Sequence, residues 1–360
     1  MKKIVDNFKT LGGKHCVTTA LKQIFDYYNC FISEEMLFGL GCGLDFVYLN
    51  LASFPMISGR NKPFVFEKML ADNLNIKIKC KSSTSNANAV KKTKQIINNN
   101  KPVIIYVDMA YLKYLNLNKE SHFGGHAVVL FGYDDEKQHY YISDRDNSNF
   151  AIRTPKQPIK SDFHLVSYNE LAKARNSKYR PFPANNKYLD IDLTDFKGVT
   201  EQSVVTSITL TCNKMLKAPA KLLGINGINK FSKEVLTWNK FKIEKLKLAG
   251  INNYFQISAD GGTGGGMFRE MFADFLVESA ALLNSTVIQN LGYSYKQEAK
   301  KWNIISELMW QLYQTANKNI LKEISNISQK ISVTELSLLT QLQYEINNIR
   351  RNGTEAHSLQ

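Results

Sequence analysis

The period of the apolar positions changes several times along this chain, and each change predicts an element. Over 17–28 the residues Ala20, Leu21, Ile24, Phe25 and Tyr28 recur three and four apart, which puts them on one helical face. The spacing predicts a helix that begins just after Cys16. Two further helices are expected over 67–74 and 87–98. The run 101–108 (KPVIIYVD) is short, apolar and β-rich behind a proline, which reads as a buried strand. Residues 125–133 (GHAVVLFGY) read as the next strand, 134–137 as a turn, and 139–144 (HYYISD) as an antiparallel partner.

The pattern shifts near residue 195. From 201 to 255 it is mainly helical, with breaks expected at Gly224, Gly227 and Gly250. A glycine cluster over 261–266 leads into a strong helix over 267–283, and two or three long polar helices are expected, roughly over 293–330 and 333–350. The fold class is therefore α+β: an α+β domain over 1–195, then a mostly helical domain over 196–360. A length of 360 residues suits about two cores.

Composition removes several classes of function. At 44% hydrophobic residues and only 8 prolines the chain reads as globular, not disordered. No window of about 18 uncharged apolar residues exists, so no membrane-spanning helix is expected. The opening residues lead into no apolar h-region, so no export signal is expected and a cytoplasmic location is. The cysteines at 16, 30, 42, 80 and 212 are odd in number and form no C-x-x-C pair. They read as reduced thiols, neither a disulfide framework nor a metal site. The net charge is +14, but its densest stretches, 77–81 and 240–247, resemble no nucleic-acid motif. A solvated lysine surface or an acidic protein partner remains.

Candidate chemistry begins at Cys16, in LGGKHCVTTAL. A thiol at a helix N-terminus sees the positive end of the macrodipole and unpaired N–H groups, which favour the nucleophilic thiolate. A cysteine there is also often a small buried residue. His126 opens the strand after Gly124 and Gly125, and shares a face with Val128 and Leu130. Asp144 ends the partner strand, and a hairpin turning at 134–138 brings it near the level of His126, where it can fix the imidazole tautomer. Asp146, one step further on the same face, is the fallback. The order Cys, His, Asp on a helix and two successive strands is the informative signal.

These residues resemble papain-like folds, and more closely the family of butirosin biosynthesis protein H. GGKHCVTTAL, MLFGLGCGLDF, SGRNKPF, VDMAYLKY, HFGGHAVVLFGYDD and YISDRD look like its N-terminal domain, and GGTGGGMFREMFADFL looks like the domain that usually follows it. The resemblance implies a papain-like fold for the first domain and acyl transfer more than proteolysis. Family members move an aminoacyl or acyl group from a carrier protein to an amine, in one case a diamine. By position, Cys16 matches the family nucleophile, His126 the base and Asp144 the third member. Papain-like peptidases also place a glutamine several residues before the cysteine; residues 10–15 (TLGGKH) contain none, so the second oxyanion donor is left open.

The expected reaction is attack of Cys16 on a thioester of a carrier's phosphopantetheine arm, then attack of an amine on the acyl-enzyme, with His126 taking its proton. No bound cofactor is expected, the phosphopantetheine arriving on an acidic acyl or peptidyl carrier that a basic surface would steer. The other partner is a small amine, with neither nucleic acid nor membrane involved. Favouring amine over water calls for a narrow apolar tunnel, with walls sought in 38–46 (FGLGCGLDF, from Phe38) and at Tyr111 and Tyr114; all of these also read as core. Asp108 is a candidate to hold a cationic amine, or a strand-end cap. GGTGGG lacks the Lys-Ser/Thr ending of a phosphate loop and reads as a close-packing loop. A cysteine peptidase or amide hydrolase with the same triad is the first alternative, and a binding module with a structural Cys16 the second.

Overall fold

The computed structural model describes residues 1–51, 53–117, 120–145, 162–180 and 182–358. Numbered along the chain, its strands are β1 (Lys2–Ile4), β2 (Leu44–Asn50), β3 (Pro55–Arg60), β4 (Lys77–Lys81), β5 (Val103–Val107), β6 (His126–Asp134), β7 (His139–Ser143), β8 (His164–Ser167) and β9 (Tyr188–Asp192). Its helices are α1 (Cys16–Tyr27), α2 (Glu34–Leu40), α3 (Val65–Leu74), α4 (Asn86–Asn98), α5 (Tyr168–Asn176), α6 (Glu201–Leu216), α7 (Gly224–Glu234), α8 (Ile243–Ile257), α9 (Arg269–Leu282), α10 (Thr286–Thr315) and α11 (Ile320–Ser358).

The chain divides into two compact units. One is Met1–Leu37 with Asn75–Gly198; the other is Phe38–Leu74 with Val199–Gln360. The later junction lies close to the expected 195/196, but the excursion 38–74 belongs with the helical unit. Side-chain packing explains why. Gly39, Gly41 and Gly43 have no room for a side chain: an added Cβ would lie 2.1 Å from the Phe275 ring, 2.2 Å from Phe66 and 2.4 Å from Phe38 respectively. The glycines of FGLGCGLDF therefore let this segment pack tightly in the second unit's core.

In the first unit the apolar run of β5 is buried at every position, and so is all of β6. They pair antiparallel with Val107 opposite His126. The sheet, ordered β4-β9-β5-β6-β7-β8 with β1 beside β6, has seven strands among the described residues. Helix α1 packs on β6 and β5, and Leu21, Ile24 and Phe25 of its apolar face are buried. Each such fully buried aliphatic or aromatic side chain contributes roughly 1.5–3 kcal/mol. The basic stretch 77–81 is β4, an edge strand whose Lys77 pairs with Asp192 (3.5 Å) and Asp195 (3.4 Å) and whose Lys81 pairs with Asp190 (2.5 Å). Part of the positive charge is thus answered within the sheet, and the charged alternation suits an edge.

The second unit is mostly helical, with the β2–β3 hairpin. Of the glycines expected to break helices, Gly224 opens α7 at φ +56, while Gly227 and Gly250 lie inside α7 and α8. A Cβ at Gly250 would sit 2.8 Å from the Met309 carbonyl oxygen on α10, so this glycine permits close helix approach. The break between the last two helices falls at Ala316 (φ 51), earlier than the expected break between 330 and 333. The GGTGGG loop is buried from Gly262 onward, and a Cβ at Gly266 would meet the Ala299 backbone at 2.5 Å. It is a close-packing loop, as expected.

Candidate active site

The approach to Cys16 is fastened by one carboxylate. Glu34, at the start of α2, accepts from the backbone N–H of Lys14 (2.9 Å) and His15 (2.8 Å), and from the hydroxyls of Thr18 (2.7 Å) and Thr19 (2.9 Å). Gly13 is required here, since a Cβ would lie 2.2 Å from Thr19 Oγ1 and 2.6 Å from Glu34 Oε2. His15 is the N-cap of α1 in extended backbone, and Cys16 is the first helical residue. The first turn of α1 contains no acidic residue to compete with a thiolate for its N–H groups.

His126 opens β6, and the register Val129↔Ser143 carries Asp144 to a position beside it. The imidazole Nε2 lies 2.7 Å from Asp144 Oδ2, which leaves Nδ1 as the ring nitrogen that can serve the Cys16 thiol. Asp144 Oδ2 also accepts from the Tyr114 hydroxyl at 2.7 Å, and Oδ1 accepts from the Arg145 backbone N–H at 2.6 Å. Arg145 ties this corner to the cysteine loop: its carbonyl accepts from Gly13 N–H (3.0 Å), and its guanidinium donates to the Lys14 carbonyl (3.4 Å). The thiol, the imidazole and the carboxylate are all buried, Cys16 being 8% exposed and His126 3%.

Burial opposes the Cys16 thiolate, yet the charge of His15 and hydrogen bonds with His126 and His15 outweigh it, and the thiol ionises well below its ordinary range. Burial likewise opposes charge on His126, but the Asp144 carboxylate and the thiolate push its pKa up to about 10. Asp144 is held below the ordinary carboxylate range: burial raises it, and the His126 charge, the bonds from His126 and Tyr114, and Arg145 lower it further. All three shifts favour a thiolate–imidazolium pair with an ionised carboxylate behind the ring.

The remaining expected site residues fall differently. Tyr114, sought as a tunnel wall, donates to Asp144 and stacks on His164 with ring centroids 3.7 Å apart. Asp108 is no open acceptor for an amine. It is fully buried, its Oδ1 accepts from the N–H of Ala110 (3.2 Å) and Phe123 (3.0 Å), and its Oδ2 meets Ser177 Oγ (2.5 Å) and His122 Nδ1 (2.9 Å). Of the two readings, the strand-end cap is the one its contacts match. Tyr111 lies against His122, with centroids 5.5 Å apart, in that same cluster. Phe38 belongs to the second unit, where it is buried and stacked on Phe268 with ring centroids 5.5 Å apart, a contact that suits the core reading. The fallback Asp146 lies outside the described residues. Sequence reasoning missed Glu34, His15 and Arg145. His15, beside the cysteine, and Arg145, beside Asp144, carried a local signal; Glu34 carried none.

Among the described residues no group of three or more His, Cys, Asp or Glu side chains is placed to hold a metal ion. No helix among them is long and apolar enough to cross a membrane.

A buried thiol against an imidazole backed by a carboxylate, built on an α+β unit, defines a cysteine-centred candidate active site. Residues 15–145, which contain Cys16, His126 and Asp144, match the family model described as butirosin biosynthesis protein H, N-terminal. Residues 169–342 match a domain of unknown function (DUF4872). The N-terminal part of the chain is thus similar to a butirosin biosynthesis protein H-like family. None of the curated proteins matches it.

Proposed function

We propose that the chain is a cysteine-dependent acyltransferase of papain-like architecture, an amide synthase acting in antibiotic biosynthesis. It moves an acyl group from a carrier-protein thioester through a Cys16 acyl-enzyme to an amine. The observation that carries the reading is the buried Cys16 at the start of α1 together with a buried His126 that Asp144 holds at 2.7 Å, the imidazole favouring ionisation of the thiol. The family match, named for butirosin biosynthesis, supports the biosynthetic setting.

The steps follow from the charges. Cys16 Sγ attacks the thioester carbonyl carbon, and the π pair moves to oxygen. On collapse the bond to the arm sulfur breaks, and the departing thiolate takes the His126 proton. The incoming amine bonds the acyl carbon and gives a proton to His126, and Sγ leaves as the thiolate. Asp144 stays ionised throughout and fixes the ring. Burial of the thiol limits the access of water to the acyl-enzyme. The net charge of +14 suits docking of an acidic carrier.

The test offers an acyl thioester with and without amine and follows products by mass. Amide formation that competes with hydrolysis supports the synthase. Hydrolysis at the same rate whatever the amine makes the chain a hydrolase with the same triad. No turnover and no acyl adduct removes the enzyme reading.

A further inference from the structure

Outside the triad, the first unit buries a guanidinium that pairs with no carboxylate among the described residues. Arg175 lies in the last turn of α5, only 2% exposed, and its Nη1 donates to Thr93 Oγ1 on α4 at 3.1 Å. The Thr93 hydroxyl gives its own proton to the Ala89 carbonyl (2.9 Å) and so accepts from Arg175. Arg175 Nε and Nη2 make no hydrogen bond among the described residues. These two are not scattered donors. They stand side by side on one edge of the planar group, the fork with which arginine grips anions.

Arg175 lines a cavity of about 10 Å³, room for the centre of about one water-sized particle, together with Tyr140 from β7, Tyr168 from α5 and Asn86 and Ala89 from α4. Tyr140 is also 2% exposed, and its hydroxyl has no partner among the described residues. Burial pushes that phenol up to about 12, so it keeps its proton and stays a donor. Asn86 is the first residue of α4, which brings the positive end of a 13-residue helix to the same cavity. Tyr168 gives its proton to Asp135 (2.8 Å), a carboxylate that Lys94 already pairs. The walls are fastened by Asn186. Its Nδ2 donates to Asn86 Oδ1 (3.0 Å) and Asn176 Oδ1 (3.2 Å), and its backbone N–H to the Arg175 carbonyl (2.6 Å).

We infer that Arg175 and Tyr140 form a binding site for a monatomic anion of the chloride class. The donors fix the sign of the ligand. A guanidinium stays charged when buried, and a buried charge without a counter-charge is the costly arrangement. A water molecule would supply a lone pair there but no charge; an anion supplies both. The size of the cavity fixes the rest. Carboxylate, phosphate and sulfate each need room for three or more heavy atoms, whereas chloride is one atom only a little larger than water. Such an ion would bridge α4, α5 and β7, and its role is to lock the two helices onto the sheet. The site lies outside the Cys16 chemistry, so it holds whatever reaction the thiol performs.

The experiment follows thermal unfolding of the full chain while sodium chloride replaces sodium gluconate at constant ionic strength, so that general screening of the basic surface is held fixed. An ion bound only by the folded chain should raise the midpoint by about 3–5 °C for each tenfold rise in chloride above its dissociation constant. Bromide should act as chloride does. Arg175→Met, which keeps the length of the side chain and removes the fork, should make the midpoint the same in chloride and gluconate. Tyr140→Phe should keep the effect but need about tenfold more chloride for it, through the loss of one donor to a charged ligand. Equal midpoints in chloride and gluconate for the wild type would overturn the proposal and leave the cavity to water. A chloride effect that persists in Arg175→Met would overturn it by placing the ion elsewhere, and an Arg175-dependent response to formate without one to chloride would refute the monatomic assignment. If Arg175→Met does not fold, Tyr140→Phe decides: an unchanged chloride requirement in that variant would overturn the site.

Discussion

Among the described residues the first unit holds two carboxylate–histidine pairs of similar geometry and different surroundings. Asp144 meets His126 at 2.7 Å, and Asp108 meets His122 at 2.9 Å. Both aspartates are buried and both accept from backbone N–H groups. The difference lies in what the far side of the ring meets. His126 meets a thiol at a helix N-terminus. His122 is stacked on Tyr179 with centroids 3.4 Å apart and flanked by Tyr111, while Ser177 gives its proton straight to Asp108. In the proposed reaction one pair moves a proton to and from sulfur; the other fastens the loop after β5. A carboxylate–imidazole pair is therefore no signature of a site by itself. The third group decides.

The comparison can be broken at its strongest point first. Replacing Cys16 by Ala should abolish acyl adducts, as read by intact mass, and His126→Ala should come close to that. Asp144→Asn should lower the acylation rate by about 10²–10⁴-fold while leaving the fold intact by circular dichroism. If Asp108→Asn does the same, the two pairs are not different in kind.

Titration sharpens the contrast next. The Cys16 thiol ionises well below the ordinary range, and His126 keeps its proton until about pH 10. The acylation rate should accordingly rise at a pH below that of an ordinary thiol, stay level through neutrality, and fall as His126 deprotonates near 10, these being properties of the coupled pair. A single rise in the ordinary thiol range of about 8.5 would contradict the ion pair. Asp108→Asn should instead act on stability, costing about 1–3 kcal/mol in urea unfolding through the buried donors it leaves poorly matched, with acylation of the folded protein changed little. The smallest effect belongs to Tyr114→Phe, which removes one of three bonds to Asp144; about 1 kcal/mol, near a fivefold loss of acylation rate, is expected.

The same contrast explains what the sequence made legible. Helix α1, strands β5 to β7 and the Cys16, His126 and Asp144 positions were visible because each rests on a short-range period or a turn, and α1, β5, β6 and β7 form within a residue or two of expectation. Strand β4 was read only as a basic run, because its partner aspartates on β9 lie more than a hundred positions away. Segment 38–74 carried a local pattern of glycines and aromatics, but nothing in it says that Gly39 faces Phe275 on α9. Glu34 was invisible for the same reason: its four donors lie 15 to 20 positions earlier, and its sequence context is only the start of a short helix. Asp108 was visible but ambiguous, since a buried carboxylate at a strand end looks the same whether it caps a turn or waits for a ligand.

The central claim is that the acyl group passes through Cys16 and no other of the chain's five cysteines. Cys42 and Cys212 are buried thiols pushed up in pKa by burial, and Cys30 is pushed up by the same cause. The most direct measurement treats the full chain with an acyl thioester, quenches it, and maps the adduct by peptide mass. The account predicts a single acyl group on Cys16 that disappears, as amide, when amine is added before the quench. An adduct on any other cysteine, or one on Cys16 that no amine can discharge, would contradict it.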